Sequence, residues 1–402
     1  MPTHQPSIER LIAELCPEGV GWKELGECVA ENIGGGTPSK SVTGYWNGNI
    51  PWASVGDMSI SGMEISSTRN HITNQGLKNS ASHLIPKGSV IVAVKISPGK
   101  MKITNIDIAI NQDLRGLLLH NFLNNRFLVY YFQTINVIGN GTIVKGITVD
   151  FLNKIKIPLP PLPVQEAIVK ILDTFTELEA ELEAELEART KQYKYYRNEM
   201  LTFGEEMEWK ALGDACDYVD YRGKTPKKTA DGIFLVTAKN IRSGYIDYTA
   251  SREFISENDY SLVMRRGLPE IGDVLITTEA PCGFVAQVDR KNIALAQRVI
   301  KYRSKDESLS NSFLKHYLLG DRFQEKLAKT ATGSTVKGIK GSKLHKLTIP
   351  IPPLAEQERI VSVLDKFDAL VNDISIGLPA EIKARRQQYE YYRGKLLTFQ
   401  PL

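Results

Sequence analysis

The stretch that decides the fold begins at Pro158 and reads P-L-P-P-L-P-V-Q-E-A-I-V-K-I-L-D. A closely similar stretch begins at Pro350, 192 residues further along, and reads P-I-P-P-L-A-E-Q-E-R-I-V-S-V-L-D. Three more motifs occur twice in the same order: W-K-E-L-G-E at Trp22 and W-K-A-L-G-D at Trp209, T-I-V-K-G-I at Thr142 and T-V-K-G-I at Thr335, and K-Y-Y-R-N-E-M-L-T-F ending at Phe203 and E-Y-Y-R-G-K-L-L-T-F ending at Phe399. Solenoid repeats have periods of roughly 20–50 residues. This longer spacing indicates two copies of a domain, each with a connecting helix.

A long helix is predicted after the first proline cluster. Proline continues neither a helix nor the interior of a sheet, so the cluster marks the end of a domain. From about Val164 to about Met200, apolar residues recur at the three- and four-residue spacing of an amphipathic helix. Its middle repeats the tetrad E-L-E-A between Glu177 and Ala188, and these residue types form helices readily. At 1.5 Å per residue the helix is expected to be roughly 55 Å long.

The second copy of this helix has an interruption. Gly377-Leu378-Pro379 breaks the helical pattern, and Pro379 is expected to restart the helix in its first turn. Two such helices, each attached to a similar domain, are expected to pair antiparallel as a coiled coil. The alternative is that each helix packs on its own domain. Residues 7–16 also have helical spacing, and this N-terminal helix is expected to lie beside the C-terminal one.

The expected fold class is mixed α/β (α+β). Short β-branched runs at 89–95 and 273–278 predict strands, and residues 125–138 and 311–327 carry helical spacing at equivalent places. The predicted organisation is two similar domains joined by two long antiparallel helices, with a pseudo-two-fold internal repeat. Its four segments are a first domain with a short N-terminal helix at 1–158, a first spacer helix at 159–205, a second domain at 206–349 and a second spacer helix at 350–402.

The composition is that of a soluble globular protein, with 402 residues, 42% hydrophobic and 24% charged. The net charge of +4 is uneven, because both domains are basic and the first spacer is rich in Glu. This modest excess is compatible with phosphate binding but does not establish it. No apolar run reaches the roughly 18–20 residues that cross a bilayer, and the four cysteines and six histidines show no metal-site spacing. We therefore expect a reduced, cytoplasmic protein without a bound metal, in which Cys28 and Cys216 are buried.

The sequence contains no short catalytic motif. It has neither the N-P-P-[FYW] nor the D-P-P-Y motif of amino-methyltransferases, and no G-x-S-x-G, H-E-x-x-H or G-x-G-x-x-G fingerprint. Gly223-Lys224-Thr225 matches the end of a phosphate loop, but position 218 is Tyr where that motif requires glycine. These absences favour a binding protein without catalytic residues, although a pair of carboxylates would leave no short signature.

Taken together, the repeated motifs resemble a known family, the specificity (S) subunits of type I restriction-modification systems. Two variable domains alternate with P-L-P-P-L-x-x-Q-E-x-I-V-x-I-L-D helices, which end in Q-Y-x-Y-Y-R-x-x-(L/M)-L-T-F at 192–203 and 388–399. Each domain opens with W-K-x-L-G and carries a K-G-I motif before its proline cluster. The resemblance covers essentially the whole chain, in the same order, twice.

The resemblance implies a role in DNA sequence specificity. Each domain would be a target-recognition domain that reads one half of a bipartite, asymmetric site in double-stranded DNA. The helices would set the unread spacer between the halves and dock two adenine-N6 methyltransferase (M) subunits, to which endonuclease and translocase (R) subunits are added. S-adenosylmethionine would belong to M, and ATP with magnesium to R, so this chain is expected to bind none of these cofactors.

Candidate DNA contacts are the polar residues of loops, because Arg and Lys donate to guanine and Asn and Gln pair with adenine. In the first domain these are Lys40, Lys95, Lys100, Lys102, Gln112, Arg115, Thr142 and Lys145; in the second they are Lys224, Lys227, Lys228, Lys239, Asn240, Arg242, Gln297, Arg298, Thr335 and Lys337. The Thr and Lys of the K-G-I motif recur in both copies, which favours phosphate contact over base reading. For Gln112 and Gln297, a structural hydrogen bond is an equal alternative.

Two other functions remain open from the residues alone. One is a scaffold or adaptor whose helices recruit proteins and whose domains bind something other than DNA. The other is a nucleic-acid enzyme whose active site has no short motif. The tyrosines of both spacers, such as Tyr193 and Tyr389, are expected to pack between helices or to dock a partner subunit.

Overall fold

The computed structural model describes residues 8–141, 145–221, 226–333, 337–373 and 376–401. Contacts divide the chain into two compact units, one made of Met1–Ala180 with Ala384–Leu402 and the other of Glu181–Lys383. Each unit therefore holds one globular domain together with parts of both spacer segments. The division of the sequence at 158, 205 and 349 remains a prediction, since the boundaries of the units fall inside the helices.

The first unit combines eleven strands with short helices, counted over the described residues. Its strands are β1 (Trp22–Glu24), β2 (Val29–Gly34), β3 (Trp46–Ala53), β4 (Glu64–Ile65), β5 (Asn70–Ile72), β6 (Leu84–Ile85), β7 (Val90–Ala93), β8 (Met101–Thr104), β9 (Ile108–Ile110), β10 (Leu114–Leu119) and β11 (Lys156–Pro158). Its helices are α1 (Ile8–Leu15), α2 (Leu25–Cys28), α3 (Asn74–Lys78), α4 (Asn125–Phe132) and α5 (Val149–Asn153). The long helix α6 (Leu162–Met200) begins in this unit and continues into the next.

The second unit repeats this order with small changes. Its strands are β12 (Trp209–Ala211), β13 (Cys216–Asp220), β14 (Lys228–Thr229), β15 (Ile233–Val236), β16 (Phe254–Ile255), β17 (Val274–Thr278), β18 (Cys282–Gln287), β19 (Ile293–Leu295), β20 (Val299–Ser304) and β21 (Thr348–Pro350). Its helices are α7 (Leu212–Ala215), α8 (Glu257–Val263), α9 (Asn311–Leu319), α10 (Asp321–Thr330), α11 (Gly341–Leu344) and α12 (Leu354–Asn372). Helix α13 (Leu378–Leu396) begins here and ends in the first unit.

The sheets have matching strand orders in the two units. The largest sheet of the first unit runs β2-β10-β7-β8-β4, and its counterpart in the second runs β13-β20-β17-β18. Smaller sheets run β5-β3-β9-β6 and β14-β16-β15-β19, and the antiparallel pairs β1-β11 and β12-β21 join the W-K-x-L-G motif to the proline cluster. The repeated sequence therefore folds as a repeated domain, and the mixed α/β prediction is confirmed.

Each domain buries its main core between the large sheet, the helix after it and the start of the spacer helix. In the first unit this core includes Val92, Leu117, Phe127, Ile168 and Leu172. In the second unit the equivalent positions are Ile276, Tyr302, Phe313, Ile360 and Leu364. Burying one such side chain contributes about 1.5–3 kcal/mol. The apolar face of each spacer helix is thus fixed on the domain that precedes it in the chain.

A buried glutamine in the proline motif locks each spacer helix to its domain. Gln165 accepts a hydrogen bond from the Asn124 N–H (2.8 Å), while its amide donates to the carbonyls of Phe122 (3.0 Å) and Pro160 (2.7 Å). Both glutamines of the motif are completely buried. The same three bonds recur at Gln357, which accepts from the Ser310 N–H and donates to two carbonyls.

The shared aromatic residues of the spacers pack between helices within each unit. In the first unit, the ring of Phe175 on α6 lies 5.5 Å from Tyr392 on α13 and 6.4 Å from Tyr389. In the second unit, Phe367 on α12 stacks on Tyr193 and Tyr196 of α6, at 6.0 and 5.7 Å. The Phe of one copy therefore meets the tyrosines of the other copy, so both helices contribute to each unit.

The direction of pairing is antiparallel in the first unit. Glu179 on α6 forms an ion pair with Arg386 on α13, whereas Phe175, one turn earlier, contacts residues further along α13. Residue numbers therefore increase along α6 in the direction in which they decrease along α13. The predicted interruption is also confirmed, because α12 ends at Asn372 and Pro379 lies in the first turn of α13.

The N-terminal helix lies beside the C-terminal one, as predicted. Lys395 on α13 forms an ion pair with Glu9 on α1 at 3.0 Å. The Val20 N–H donates to the Gln400 carbonyl at 3.0 Å. The two ends of the chain therefore meet within the first unit.

Two predicted helices have different lengths in the structure. The helix predicted at 125–138 ends at Phe132, before a run that contains the β-branched Ile135 and Val137, whose side chains lose rotamer freedom in a helix. The helix predicted at 311–327 is two helices, because Gly320 has extended backbone angles (φ −69°, ψ 146°) and caps α10. A continuous apolar periodicity concealed this break.

Cys28 and Cys216 are both completely buried, as predicted. Burial raises the pKa of the Cys28 thiol to about 11 and that of Cys216 to about 12. Within the described ranges, no helix is both long enough and apolar enough to cross a membrane.

Candidate nucleic-acid interface

Three loops of the first unit converge at the ends of two inner strands of its large sheet, β7 and β10. The end of β7 meets the start of β10, where the Val94 N–H donates to the Asp113 carbonyl at 2.9 Å. The K-G-I loop joins them, because the Ile147 N–H donates to the Val94 carbonyl at 2.8 Å and Lys95 forms a β-bridge with Gly146. We call residues 94–96, 111–113 and 145–147 the first loop cluster.

The second unit builds the same arrangement from equivalent residues. The Thr278 N–H donates to the Arg298 carbonyl at 2.9 Å, and the Ile339 N–H donates to the Thr278 carbonyl at 2.9 Å. Glu279 forms a β-bridge with Gly338 of the second K-G-I loop. Residues 278–280, 296–298 and 337–339 form the second loop cluster. The recurrence explains why the K-G-I motif appears twice in the sequence.

The K-G-I loops close on themselves. The Asn140 and Gly146 N–H groups each donate to the other residue's carbonyl at 2.9 Å, and Thr332 and Gly338 do the same at 2.8 and 2.9 Å. Lys145 and Lys337 are exposed at equivalent places in the two clusters. An exposed ammonium on a short, closed loop is suited to contact a phosphate.

The glycine-rich loop after β2 crosses directly over the first cluster. A side chain at Gly35 would place its Cβ 2.2 Å from the Asn111 carbonyl oxygen, so only glycine fits there. The loop is tied down further along, where the Thr37 hydroxyl donates to Gln112 Oε1 at 2.5 Å. Gln112 therefore makes the structural hydrogen bond that was one of its two predicted roles, although its side chain remains exposed.

Each cluster carries one ion pair between its two strand ends. In the first, Lys95 Nζ lies 3.4 Å from Asp113 Oδ1. In the second, Arg298 Nε lies 3.3 Å from Glu279 Oε2. Gln297, beside Arg298, is half-buried at the position equivalent to Gln112. Each cluster thus offers a positively charged donor and a negatively charged acceptor close together at the protein surface.

Several other predicted contacts lie outside the clusters. Lys40, Lys100, Lys227 and Lys239 are exposed. Lys228 forms an ion pair with Glu253 at 2.7 Å, and Arg242 forms one with Asp247 at 3.4 Å. Thr142, Lys224 and Thr335 lie outside the described residues. The structure therefore brings together only some of the predicted positions.

Lys102 is a correction to the predicted contacts. Its side chain is buried on β8, and its ammonium group donates to the carbonyls of Ile60 (2.7 Å) and Gly62 (2.6 Å) and, more weakly, Ser61 (3.4 Å). Burial lowers its pKa below the ordinary lysine value. With its protons directed at backbone carbonyls, Lys102 holds the 60–62 segment and is not available to DNA.

Asn240 is a second correction. It is completely buried, accepts from the Thr237 N–H at 3.0 Å and donates to the carbonyls of Asp247 and Ser251. The equivalent residue of the first unit, Asp57, is also completely buried and accepts from the Ser54 N–H at 2.8 Å. Both residues stabilise the same turn, so Asn240 is structural.

Arg115 is half-buried on β10 and bound to the neighbouring strand. Its Nε donates to Asn32 Oδ1 at 2.7 Å, and its Nη2 donates to the Asn32 carbonyl at 2.8 Å. Burial lowers its pKa. These bonds hold the guanidinium on β2, leaving at most one edge for another contact.

Sequence reasoning missed the acidic members of the clusters, Asp113 and Glu279, because no Asp or Glu was considered as a base contact. The signal was present in the repeat, since positions 95 and 279 are equivalent and carry opposite charges. Thr37, whose hydroxyl donates to Gln112, was also not predicted as a site residue. Groups of three or more His, Cys, Asp or Glu side chains that could hold a metal ion do not occur among the described residues.

Comparison with known proteins identifies what this architecture is similar to. The family model "Type I restriction modification DNA specificity domain" matches residues 17–188 and again residues 204–384. The two matches cover one structural repeat each, including the loop clusters and the proline motifs.

Individual relatives agree with the family match. A putative type I restriction enzyme specificity subunit of Haemophilus influenzae is 36% identical over 295 residues, which cover 69% of this chain and 73% of the relative. The EcoR124I/EcoR124II specificity subunit of Escherichia coli is 36% identical over 274 residues, covering 61% of this chain and 63% of the relative. The crystal structure of the type I restriction-modification S subunit from M. genitalium shares the fold, with a TM-score of 0.55, 15% identity and coverage of 94% and 96%.

Proposed function

Because the chain belongs to the type I restriction-modification DNA specificity family, we propose that each of its two domains reads one half of a bipartite DNA site. The observation that supports this most directly is that both units carry a loop cluster on equivalent strands, with different side chains. A shared scaffold with variable residues is what two different half-sites require. The full site is therefore expected to be asymmetric.

In this proposal the two K-G-I lysines bind phosphates. The cluster residues at the strand ends, 94–96 with 111–113 and 278–280 with 296–298, face the bases. Phosphate contacts fix the position of a protein on the duplex, whereas base edges carry the sequence. Lys145 and Lys337 occur at equivalent exposed positions in both units, which suits a role independent of sequence. Lys40, Lys100, Lys227 and Lys239 extend the basic surface around the clusters.

The partners and cofactors follow from the same proposal. A specificity chain acts in a complex with DNA and with other subunits, here two methyltransferase (M) subunits and additional endonuclease and translocase (R) subunits. The exposed tyrosines Tyr195 and Tyr391, at equivalent positions on α6 and α13, are candidates for subunit contact, since tyrosine is enriched at interfaces. S-adenosylmethionine belongs to M, and ATP with magnesium to R. This chain itself carries out no catalytic step.

The test measures binding of the complex reconstituted with its methyltransferase subunits to duplex DNA at several salt concentrations. Lys145→Ala and Lys337→Ala should each weaken binding to every sequence and reduce the salt dependence of log K by about 0.9, the value for one lost phosphate contact. Glu307→Gln, an exposed change away from both clusters, is the control and should leave affinity unchanged.

Two results would contradict these assignments. A lysine variant that keeps the salt dependence but alters which sequence is bound would place that lysine against a base. Binding of the complex that is independent of salt and of both lysines would contradict DNA recognition by the clusters.

A further inference from the structure

The ion pair of each loop cluster has its charges exchanged between the two units. In the first unit the cation is Lys95, at the end of β7, and the anion is Asp113, before β10. In the second unit the anion is Glu279, at the end of β17, and the cation is Arg298, before β20. The pairs have nearly the same length, 3.4 and 3.3 Å. Donor and acceptor have therefore changed places on a common frame.

The backbone around the pair is the same whichever sign occupies each position. In both units, the residue before the first charge donates to the carbonyl of the second charged residue at 2.9 Å. In both, the first charged residue forms a β-bridge with the glycine of the K-G-I loop. The frame therefore requires neither arrangement of the charges.

The pair is also poorly placed to serve stability alone. The side chains of Lys95, Arg298 and Glu279 are 53%, 50% and 44% exposed, and exposed ion pairs contribute little to folding. Asp113 is the exception at 16% exposed, and it is held by the Asn111 side-chain amide at 3.2 Å. In the first unit the accessible charge is therefore the lysine, while in the second both charges are accessible.

A strained residue follows the first charge in both units. Ile96 has a φ of 68° and Ala280 has a φ of 48°, in the left-handed region that residues with a Cβ rarely adopt. Arg298 itself has a φ of 72°. Such strain persists where surrounding structure holds it, and it concentrates at functional sites. In both units these residues lie at or directly beside the ion pair.

We propose that this charge-exchanged pair is a specificity determinant. Each unit uses it to select a G·C pair, and the strand that carries the guanine, seen from equivalent positions of the two domains, is opposite in the two units. Lysine and arginine donate to guanine O6 and N7 in the major groove, and a carboxylate accepts from cytosine N4. Exchanging the cation from one strand end to the other moves the preferred guanine to the other strand of the duplex. This inference rests on the proposed function and adds residues and a base pair to it.

The experiment exchanges the charges in one unit and maps adenine methylation by the complex in a methylation-free host. The first double variant is Lys95→Glu with Asp113→Arg, and the second is Glu279→Lys with Arg298→Asp. Each should convert one G·C pair of a single half-site to C·G, with at least about tenfold preference, and should leave the other half-site unchanged. The two variants should affect different half-sites.

Lys95→Ala and Glu279→Ala keep the proposal testable should a double variant fold poorly, because the β-bridges use only backbone atoms. Each should relax selection at one position of one half-site. An unchanged motif in all four variants would overturn the proposal while leaving the proposed function intact, since a split motif would still be methylated. Loss of all methylation in both alanine variants would also overturn it, because the pair would then be structural. Absence of a split motif in the unsubstituted complex would instead contradict the proposed function.

Discussion

Gln165 and Gln357 show how one buried side chain joins a helix to a domain. Each makes three hydrogen bonds to backbone groups on two segments. Gln357→Leu leaves two carbonyls and one N–H without partners, and we expect a loss of about 3 kcal/mol in the free energy of unfolding. Denaturant unfolding measures this, with the exposed neighbour substitution Glu358→Gln as the control. Equal stability of the two variants would contradict the role assigned to the glutamine.

Lys102 and Lys100 form a matched pair of neighbouring lysines with different roles. Lys102→Ala leaves the carbonyls of Ile60 and Gly62 without their donor, so stability should fall by about 2 kcal/mol. Lys100→Ala, at an exposed position, should change stability by less than about 0.5 kcal/mol and weaken DNA binding by the complex. Unfolding and binding assays on both variants separate the roles. A stable Lys102→Ala protein with weakened binding would reverse the assignment.

These residues also mark where sequence reasoning succeeds and fails. The buried cysteines and the exposed K-G-I lysines were predictable, because their positions recur in both copies. Lys102 and Asn240 were mistaken for contacts, because their acceptors come from segments whose approach no local pattern reveals. Burial of a polar side chain is decided by such tertiary partners.

At the level of helices, equivalent carboxylates of the two spacers bind different partners. Asp173 on α6 accepts from the Tyr130 hydroxyl at 2.6 Å, whereas Asp365 on α12 lies 2.7 Å from His316 Nε2. His316 is completely buried, and burial lowers its pKa below the ordinary value. Lys315, Asp365 and Asp368 are the charged groups that act on it. The hydrogen bond from His316 helps to lower the pKa of Asp365 to about 2.

The second unit should therefore lose stability in acid before the first. Below about pH 6.5 the unfolded chain protonates His316 while the folded chain resists it, so stability falls as pH falls. Protonation of Asp365 adds a further loss between about pH 4 and pH 2. Hydrogen exchange of α9 and α4, corrected for intrinsic rates, should show weaker protection of α9 at pH 5.5 than at pH 7.5, with α4 unchanged.

Two reciprocal substitutions serve as controls for this pH dependence. His316→Tyr should remove the change between pH 7.5 and 5.5, and Tyr130→His should transfer it to α4. The same acid sensitivity in His316→Tyr as in the unsubstituted protein would show that another group is responsible.

The helices were predicted well where a motif marks their ends and less well elsewhere. The proline motif predicted the starts of α6 and α12, and Pro379 predicted the restart of α13. Gly320 was missed because the apolar spacing continues across it from α9 into α10. A single extended residue changes the direction of a helix without changing which residues are apolar.

For the whole molecule, the length of α6 should set the distance between the two half-sites. One E-L-E-A tetrad adds about 6 Å of helix, compared with 3.4 Å per base pair. Deleting residues 181–184 should shorten the unread spacer by one or two base pairs, and inserting one tetrad should lengthen it by the same amount. Both half-sites should stay the same. Methylation mapping that shows one spacer length in all three proteins would exclude the helix as the determinant.

The architecture of the whole chain was the most predictable level, because a repeat of this length leaves few alternatives to two domains joined by helices. The residues that we propose to read DNA were the least predictable. They lie on loops whose convergence depends on strand order, and the exchanged charges acquire meaning only when the two clusters are superimposed.

The most direct test of the specificity role maps adenine methylation by single-molecule sequencing in a methylation-free host. The host expresses the methyltransferase subunit of the system with or without this chain. We expect a split, asymmetric motif, methylated on both strands, that appears only when this chain is present. Methylation that is the same without the chain would contradict a specificity role and favour a scaffold that does not choose the DNA sequence.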